Sequence, residues 1–454
     1  MHLYPNPRSL SLSEGKPSCP LILKSSHHMI HFQRHTLDNG LRVLLHEDDS
    51  TPMIAVNVLY HVGSRDESPE RTGFAHLFEH LMFGGSEHVK DFDTALQLAG
   101  GESNAFTNFD LTNFYNLLPA ENVETAFWLE SDRMMALNIN ARSLEVQRKV
   151  VTEEYKETCL NQPYGSVGHE LARLVYRKHP YRWPVIGQQI EHIAEAQLED
   201  VRAFYQKYYC PNNAILVVAG NFKTDAMLLT VEKWFGGVAR GPELSRALPA
   251  EPAQTELRRH MVQADVPVTA VYMAFRMPER MHEDYYAIDL LSDVLGNGQS
   301  SRLFRRLRRV RKLFTEIDCY VSGTVDPGMF VIEGKLAEGV TTEQAEIAVW
   351  EELDHLRDLA IDERELQKLK NKSESTLLFS ETNVLNKAIN LAFYEMVDTA
   401  EHINEEAARY RAITAGDVQR VARQYLIPTN CSVLWYEAST PIPKPHSSNV
   451  EIDL

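Results

Sequence analysis

Asp200-Val201-Arg202-Ala203-Phe204-Tyr205-Gln206-Lys207-Tyr208-Tyr209-Cys210-Pro211-Asn212-Asn213-Ala214-Ile215-Leu216-Val217-Val218 decides the architecture, because its design occurs twice in the chain. Asp200 and Val201 open a helix that runs to Tyr209 and stops before Pro211, which cannot continue it. Ala214 to Val218 then reads as a short buried strand. The pattern returns 217 residues later: Asp417-Val418 open a helix closed by Pro428, and Ser432 to Trp435 form the strand. Asp200 matches Asp417, Pro211 matches Pro428 and Asn213 matches Asn430. Matched spacing of this kind is an internal repeat, so the chain should contain two like halves.

Working outward, Leu37 to Leu44 reads as two short strands around an Asn39-Gly40 hairpin turn. Ile54, Val56, Val58 and Tyr60 alternate as one face of a further strand. A helix is expected from about Gly73 to Phe83, stopped by Gly84-Gly85. The second half has a counterpart, Asp284 to Leu295, ending at Gly296-Asn297-Gly298. Between the halves, Gly236 to Ala253 is rich in Gly, Pro, Ala and charge, as a linker is. The expected organisation is a disordered extension over 1–28, a first domain over 29–235, a linker over 236–257, a second domain over 258–440 and a tail over 441–454. The expected class is α+β: each half a mixed or antiparallel sheet, with helices on one face.

Composition narrows the function. The chain has 454 residues, 44% hydrophobic and 24% charged, as an ordinary soluble globular protein has. A net charge of -17 argues against a nucleic-acid partner, which needs clustered cations to displace counterions. No apolar run approaches the roughly 18–20 residues that span a bilayer. Leu21 to Leu23 is too short for the core of a signal peptide, so a cytoplasmic location is expected. The five cysteines show no C-x-x-C spacing, and an odd count excludes a full disulfide framework.

His76-Leu77-Phe78-Glu79-His80 is the most informative pentapeptide. On a helix, residues three and four apart share a face, so His76, Glu79 and His80 project together. Two imidazoles at that spacing suit a tetrahedral zinc, and the neighbouring carboxylate can take a proton from an attacking water. Phe74, Leu77, Phe78, Leu81 and Met82 would bed the helix in a core. A catalytic zinc needs a third protein ligand and an open position. Glu154 falls on an expected helix from about Arg142 to Thr158, on the same face as Gln147; Glu145, Glu153 and Glu157 lie close by, and spacing does not choose among them. In the second half, Ile288, Leu291 and Ser292 stand in the places of His76, Glu79 and His80, so the scaffold returns without the chemistry.

Gly73 to Phe83 resembles the signature of the pitrilysin, insulin-degrading enzyme and mitochondrial processing peptidase family, whose H-x-x-E-H order inverts the thermolysin motif. The resemblance runs from about Phe32 to Tyr436 and marks this chain as similar to the short, bacterial-type zinc subunits. It implies that the third ligand ends the run Gln147-Arg148-Lys149-Val150-Val151-Thr152-Glu153-Glu154, and so carries over to Glu154. It also implies that Glu79 is the catalytic base, with one zinc per chain held by His76, His80 and Glu154. Gly100 to Thr107 is similar to the family's edge strand, so Asn104, Ala105, Phe106 and Thr107 would pair with substrate backbone. His179-Pro180-Tyr181 through Gly187 completes the resemblance.

Two positions depart from the family. Gln147 stands where members carry a supporting Glu behind the ligands. Thr315, in the second half, stands where the family's pattern has a Tyr that reaches across to substrate, although Arg308 retains the accompanying Arg. The resemblance therefore implies a zinc metalloendopeptidase acting on peptides or unfolded polypeptides as a clamshell dimer. That dimer would be a heterodimer with an Arg- and Tyr-bearing subunit, or a homodimer. The competing expectation is a non-catalytic core or assembly subunit.

Overall fold

The Asn39-Gly40 turn closes an antiparallel hairpin between β1 (Gln33–Thr36) and β2 (Arg42–Glu47), with Gly40 at φ 88, a conformation that L side chains rarely adopt. The computed structural model describes residues 29–439; the expected 1–28 extension and 441–454 tail lie outside them. The hairpin joins β3 (Met53–Tyr60), β4 (Glu102–Thr107), β5 (Thr112–Pro119) and β6 (Ala214–Gly220) in a six-stranded sheet of order β1-β2-β6-β3-β5-β4. A second sheet has the order β7-β11-β8-β10-β9, from β7 (Arg258–Ala264), β8 (Ala270–Arg276), β9 (Phe314–Val321), β10 (Met329–Leu336) and β11 (Cys431–Ala438). In each sheet one pair is parallel, β2 with β6 and β7 with β11, and the others are antiparallel. Leaving β1 aside, the two orders correspond strand for strand. The fold is α+β with mixed sheets.

The helices that position the core and the site are α1 (Phe74–Leu81), α2 (Ala141–Tyr155), α3 (Val167–Val175), α4 (Leu198–Tyr208), α5 (Tyr285–Leu295), α6 (Glu363–Ser380), α7 (Val384–Val397) and α8 (Ala415–Tyr425). The repeat reaches down to single side chains. Asn213 donates its amide to the Tyr208 carbonyl at 2.8 Å and the His61 carbonyl at 3.2 Å. Asn430 does the same with Tyr425 at 2.8 Å and Arg276 at 2.9 Å. Each asparagine thus ties the end of a helix to the end of a neighbouring strand, which explains why both halves need it.

The expected arrangement, with helices on one face only, is corrected by the structure. Val56, Val58 and Tyr60 of β3 do share a face, and it packs with Leu77 and Phe78 of α1. Ala55 and Leu59, on the opposite face, are also buried, against Ala388 and Leu391 of α7 from the second half. The exchange is mutual. Met273 and Val433 pack with Ile288 and Leu291 of α5, while Tyr272 and Leu434 behind them are covered by Leu171 and Val175 of α3 from the first half. The physical reason is visible in β6, where every residue from Ala214 to Gly220 is buried: a strand covered on both sides is a continuous apolar run, not an alternation.

The stretch between the helix Thr224–Phe235 and β7 holds no regular element, yet it is fastened to the first half. Glu251 accepts the backbone N–H groups of Arg177, Lys178 and His179 at 2.9, 2.7 and 2.9 Å. Buried Arg65 joins the halves directly, reaching Asp110 and Asp326 at 2.9 Å each. No helix among the described residues is long and apolar enough to cross a membrane. Cys159, Cys210, Cys319 and Cys431 are free thiols.

Candidate metal centre

Helix α1 begins at Gly73, whose φ of 89 and close approach to the Ile186 carbonyl, 2.8 Å from where a Cβ would sit, leave room only for glycine. The segment around Pro184–Gly187 that the sequence singled out is therefore the wall against which the helix starts. Glycine offers no capping side chain, so the first N–H groups of α1 need another acceptor. Buried Glu67 supplies it: its carboxylate accepts Gly73 N–H and Ala75 N–H, each at 2.8 Å. Burial pushes the Glu67 carboxyl upward, and these two bonds oppose the shift. Sequence reasoning missed Glu67, because it caps from six and eight residues away; the signal was an acid ahead of a helix without a cap.

The apolar side of α1 sits on an aromatic floor. Phe78 stacks on Phe204 at 5.2 Å and on Tyr209 at 5.0 Å between ring centroids, and both belong to the α4 segment. Such anchoring fixes the other side, which carries His76, Glu79 and His80. Alongside, the last turn of α2 presents Glu154, just before a π-helical turn, Lys156–Leu160. Interruptions of this type are frequent at functional sites.

Among the described residues, His76, His80 and Glu154 form the one cluster of metal-binding groups. His80 Nε2 lies 3.3 Å from His76 Nε2 and 3.3 Å from Glu154 Oε2, and His76 Nε2 lies 3.8 Å from the same oxygen. A tetrahedral zinc with ligands at about 2.0–2.1 Å separates its donor atoms by roughly 3.3–3.4 Å. The donor set therefore fits zinc in both type and spacing. Burial depresses His76 to a pKa of about 4, which keeps its imidazole neutral and able to bind a cation. The His80 hydrogen bond holds Glu154 below the usual carboxylate range, so the third donor is charged.

The competitors fall away for physical reasons. Glu145 pairs with Lys149 at 3.0 Å, Glu153 pairs with Lys156 at 2.7 Å, and Glu157 is exposed. Glu79 is half-buried beside Thr107 of β4, and burial raises its carboxyl. Gln147 lies on α2 and its side chain makes no hydrogen bond among the described residues, and His76 Nδ1 is buried without a partner. Ligating histidines are normally oriented through a hydrogen bond from their second nitrogen, and neither Gln147 nor any other described side chain supplies the acceptor to His76 Nδ1.

Asn104, Ala105, Phe106 and Thr107 lie on β4, which is the edge of the first sheet, next to α1. The Ala105 N–H does not serve β5; it is taken by the Asn104 side chain at 2.8 Å. In the second half, Thr315 is the second residue of the matching edge strand β9 and donates to the Lys335 carbonyl at 3.2 Å. Arg308 is exposed, with its guanidinium 4.8 Å from the Phe304 ring. Among the described residues, neither makes a hydrogen bond or ion pair with His76, Glu79, His80 or Glu154.

Two like α+β halves, one of them carrying a His, His, Glu donor set of zinc dimensions, define the class: a duplicated fold with a single metal-ready half. Residues 42–189 match the family model described as insulinase, peptidase family M16, and residues 195–373 match the model of the peptidase M16 inactive domain. The chain is 28% identical over 422 residues to the zinc protease PqqE of Helicobacter pylori, covering 90% of this chain and 94% of that one. It is 30% identical over 319 residues to an uncharacterized zinc protease of Mycobacterium leprae, covering 67% and 70%. A crystal structure of a protease from Helicobacter pylori superposes with a TM-score of 0.86 at 28% identity, covering 90% of this chain and 100% of that chain. The chain belongs to the insulinase family, peptidase family M16.

Proposed function

We propose that this chain is a zinc-dependent metalloendopeptidase subunit that hydrolyses peptides or unfolded polypeptides. The observation that carries the reading is the set of 3.3, 3.3 and 3.8 Å separations among three donors, with Glu79 on the same helix face. His76, His80 and Glu154 would hold one zinc ion, which supplies Lewis acidity for the scissile carbonyl and for water. Glu79 takes the proton of the attacking water and returns it to the leaving amine; a carboxyl raised by burial is suited to holding that proton in between. The open edge β4 aligns the substrate as an added strand, and a substrate carbonyl replaces Asn104 at the Ala105 N–H. Edge pairing reads backbone, so sequence preference is broad.

The chain lacks one part of such a site. Thr315 has no group that reaches a developing oxyanion, so a partner subunit bearing Arg and Tyr supplies that stabilisation across a clamshell dimer. A second reading, a non-catalytic assembly subunit, is favoured by the unpartnered His76 Nδ1 and the idle Gln147. The test is cleavage of a quenched fluorescent peptide by the purified chain, alone and mixed with such a partner. Activity only in the mixture supports the heterodimer, activity alone assigns a homodimer, and inactivity in both leaves the assembly subunit.

A further inference from the structure

We propose that a basic groove in the second half is a docking subsite for acidic segments of polypeptide. The inference rests on the peptidase reading only for the kind of molecule that enters. Ser300 to Lys312 is densely cationic within a chain of net charge -17. On a solvated helix face the cations would spread apart, but the structure sorts them otherwise. Arg311 pairs with Glu351, and Arg308 faces a separate cleft beside Glu316 and Asp318. Arg302, Arg305, Arg306 and Arg309 line one wall of a groove of about 890 Å³, and Arg364 and Lys368 of α6 line the other.

Charge pairing inside the groove is incomplete. Arg302 reaches Glu365 at 2.9 Å and Arg306 reaches Glu352 at 2.7 Å. Arg305, Arg309 and Arg364 are exposed and have no acidic partner among the described residues, while Lys368 donates to Ser300 at 2.9 Å. Six cations thus face two lining carboxylates, Asp362 and Glu365. Like charges gathered on two elements around one concavity repel one another, and an anion between them relieves that repulsion. Guanidinium groups bind carboxylates as planar forks with two parallel hydrogen bonds, which favours Asp and Glu side chains as the occupant. The groove is open to solvent, which suits an extended chain more than an enclosed small ligand. Elsewhere the acidic protein repels such a chain, so the groove would select where an acidic stretch settles and which peptides are retained.

The test uses the full chain carrying Glu79→Gln, so that bound peptide is not consumed, and fluorescently labelled acidic, neutral and basic peptides of matched length. Fluorescence anisotropy should show the acidic peptide bound at least about ten-fold more tightly than the neutral one, with affinity falling as salt rises. Reversal at the groove, Arg305→Glu with Arg309→Glu, should abolish that preference and leave neutral-peptide binding unchanged. Arg364→Gln, on the opposite wall, provides a milder variant should the double reversal impair folding. Equal binding of acidic and neutral peptides, or a preference that survives both sets of substitutions, would overturn the proposal. Tighter binding of inorganic polyphosphate than of the acidic peptide would also overturn it. Acidic-peptide binding by a chain whose native form cleaves nothing, either alone or mixed with an Arg- and Tyr-bearing partner, would sink the peptidase reading and leave the groove standing. Cleavage of neutral peptides without any acidic preference would do the reverse.

Discussion

Glu67 shows how far the chemistry of a site depends on groups that never touch the reacting atoms. Its two oxygens hold the first N–H groups of α1, and through them the angle at which His76 and His80 project. Glu67→Ala leaves two buried donors unpaired, each worth about 1–3 kcal/mol. That variant should lose stability in a urea melt and bind zinc at least about ten-fold more weakly in a chelator competition, the range seen when supporting groups are removed. Glu67→Gln should restore only part of the stability, since its amide oxygen can accept one of the two N–H groups while its NH2 cannot accept the other. Unchanged zinc affinity in Glu67→Ala would show that α1 is held by its aromatic floor alone. At this scale His76, Glu79 and His80 were legible because helical spacing puts contiguous residues on one face. Glu154 was one acid among four until the family resemblance chose it, and Glu67 acts through backbone atoms that leave no pattern.

Among the elements, β4 carries the most specific claim. Its outer edge is open, and the Ala105 N–H is occupied by Asn104 from the same strand. Proline is tolerated on an edge whose N–H faces outward, so Ala105→Pro should leave the melting temperature nearly unchanged. The same substitution removes the donor offered to substrate, so KM for a peptide should rise several-fold with a smaller change in kcat. A kcat effect without a KM effect would argue against strand addition. Repetition of elements was legible from Asp200, Pro211 and Asn213 and their counterparts, because helix ends and the Asn ties depend on local sequence. The exchange of α3 and α7 was not legible. An amphipathic helix shows that it has a buried face, but not which sheet receives it.

As a whole molecule, the two halves share their cores and a polar seam, so acid should weaken them together. His61 sits in that seam and accepts from Arg65 at 2.8 Å. Burial, with Arg246 and Arg65 beside it, depresses its pKa to about 2, far below the ordinary value of 6.5. A histidine held neutral in the fold and protonated when unfolded contributes stability above pH 6.5, and loses it as pH falls below that value. The slope from this group approaches about 1.4 kcal/mol per pH unit. Urea melts at pH 7 and pH 5 should therefore show a steeper acid loss in the native chain than in His61→Gln; parallel slopes would remove His61 from the account. The central claim is tested most directly by zinc content measured together with peptide cleavage, in the presence of whichever partner activity requires, for the native chain and Glu79→Gln. The account predicts one zinc per chain in both and a loss of cleavage of at least about 100-fold in the variant; a native chain without zinc, or a Glu79→Gln chain that cleaves normally, would contradict it.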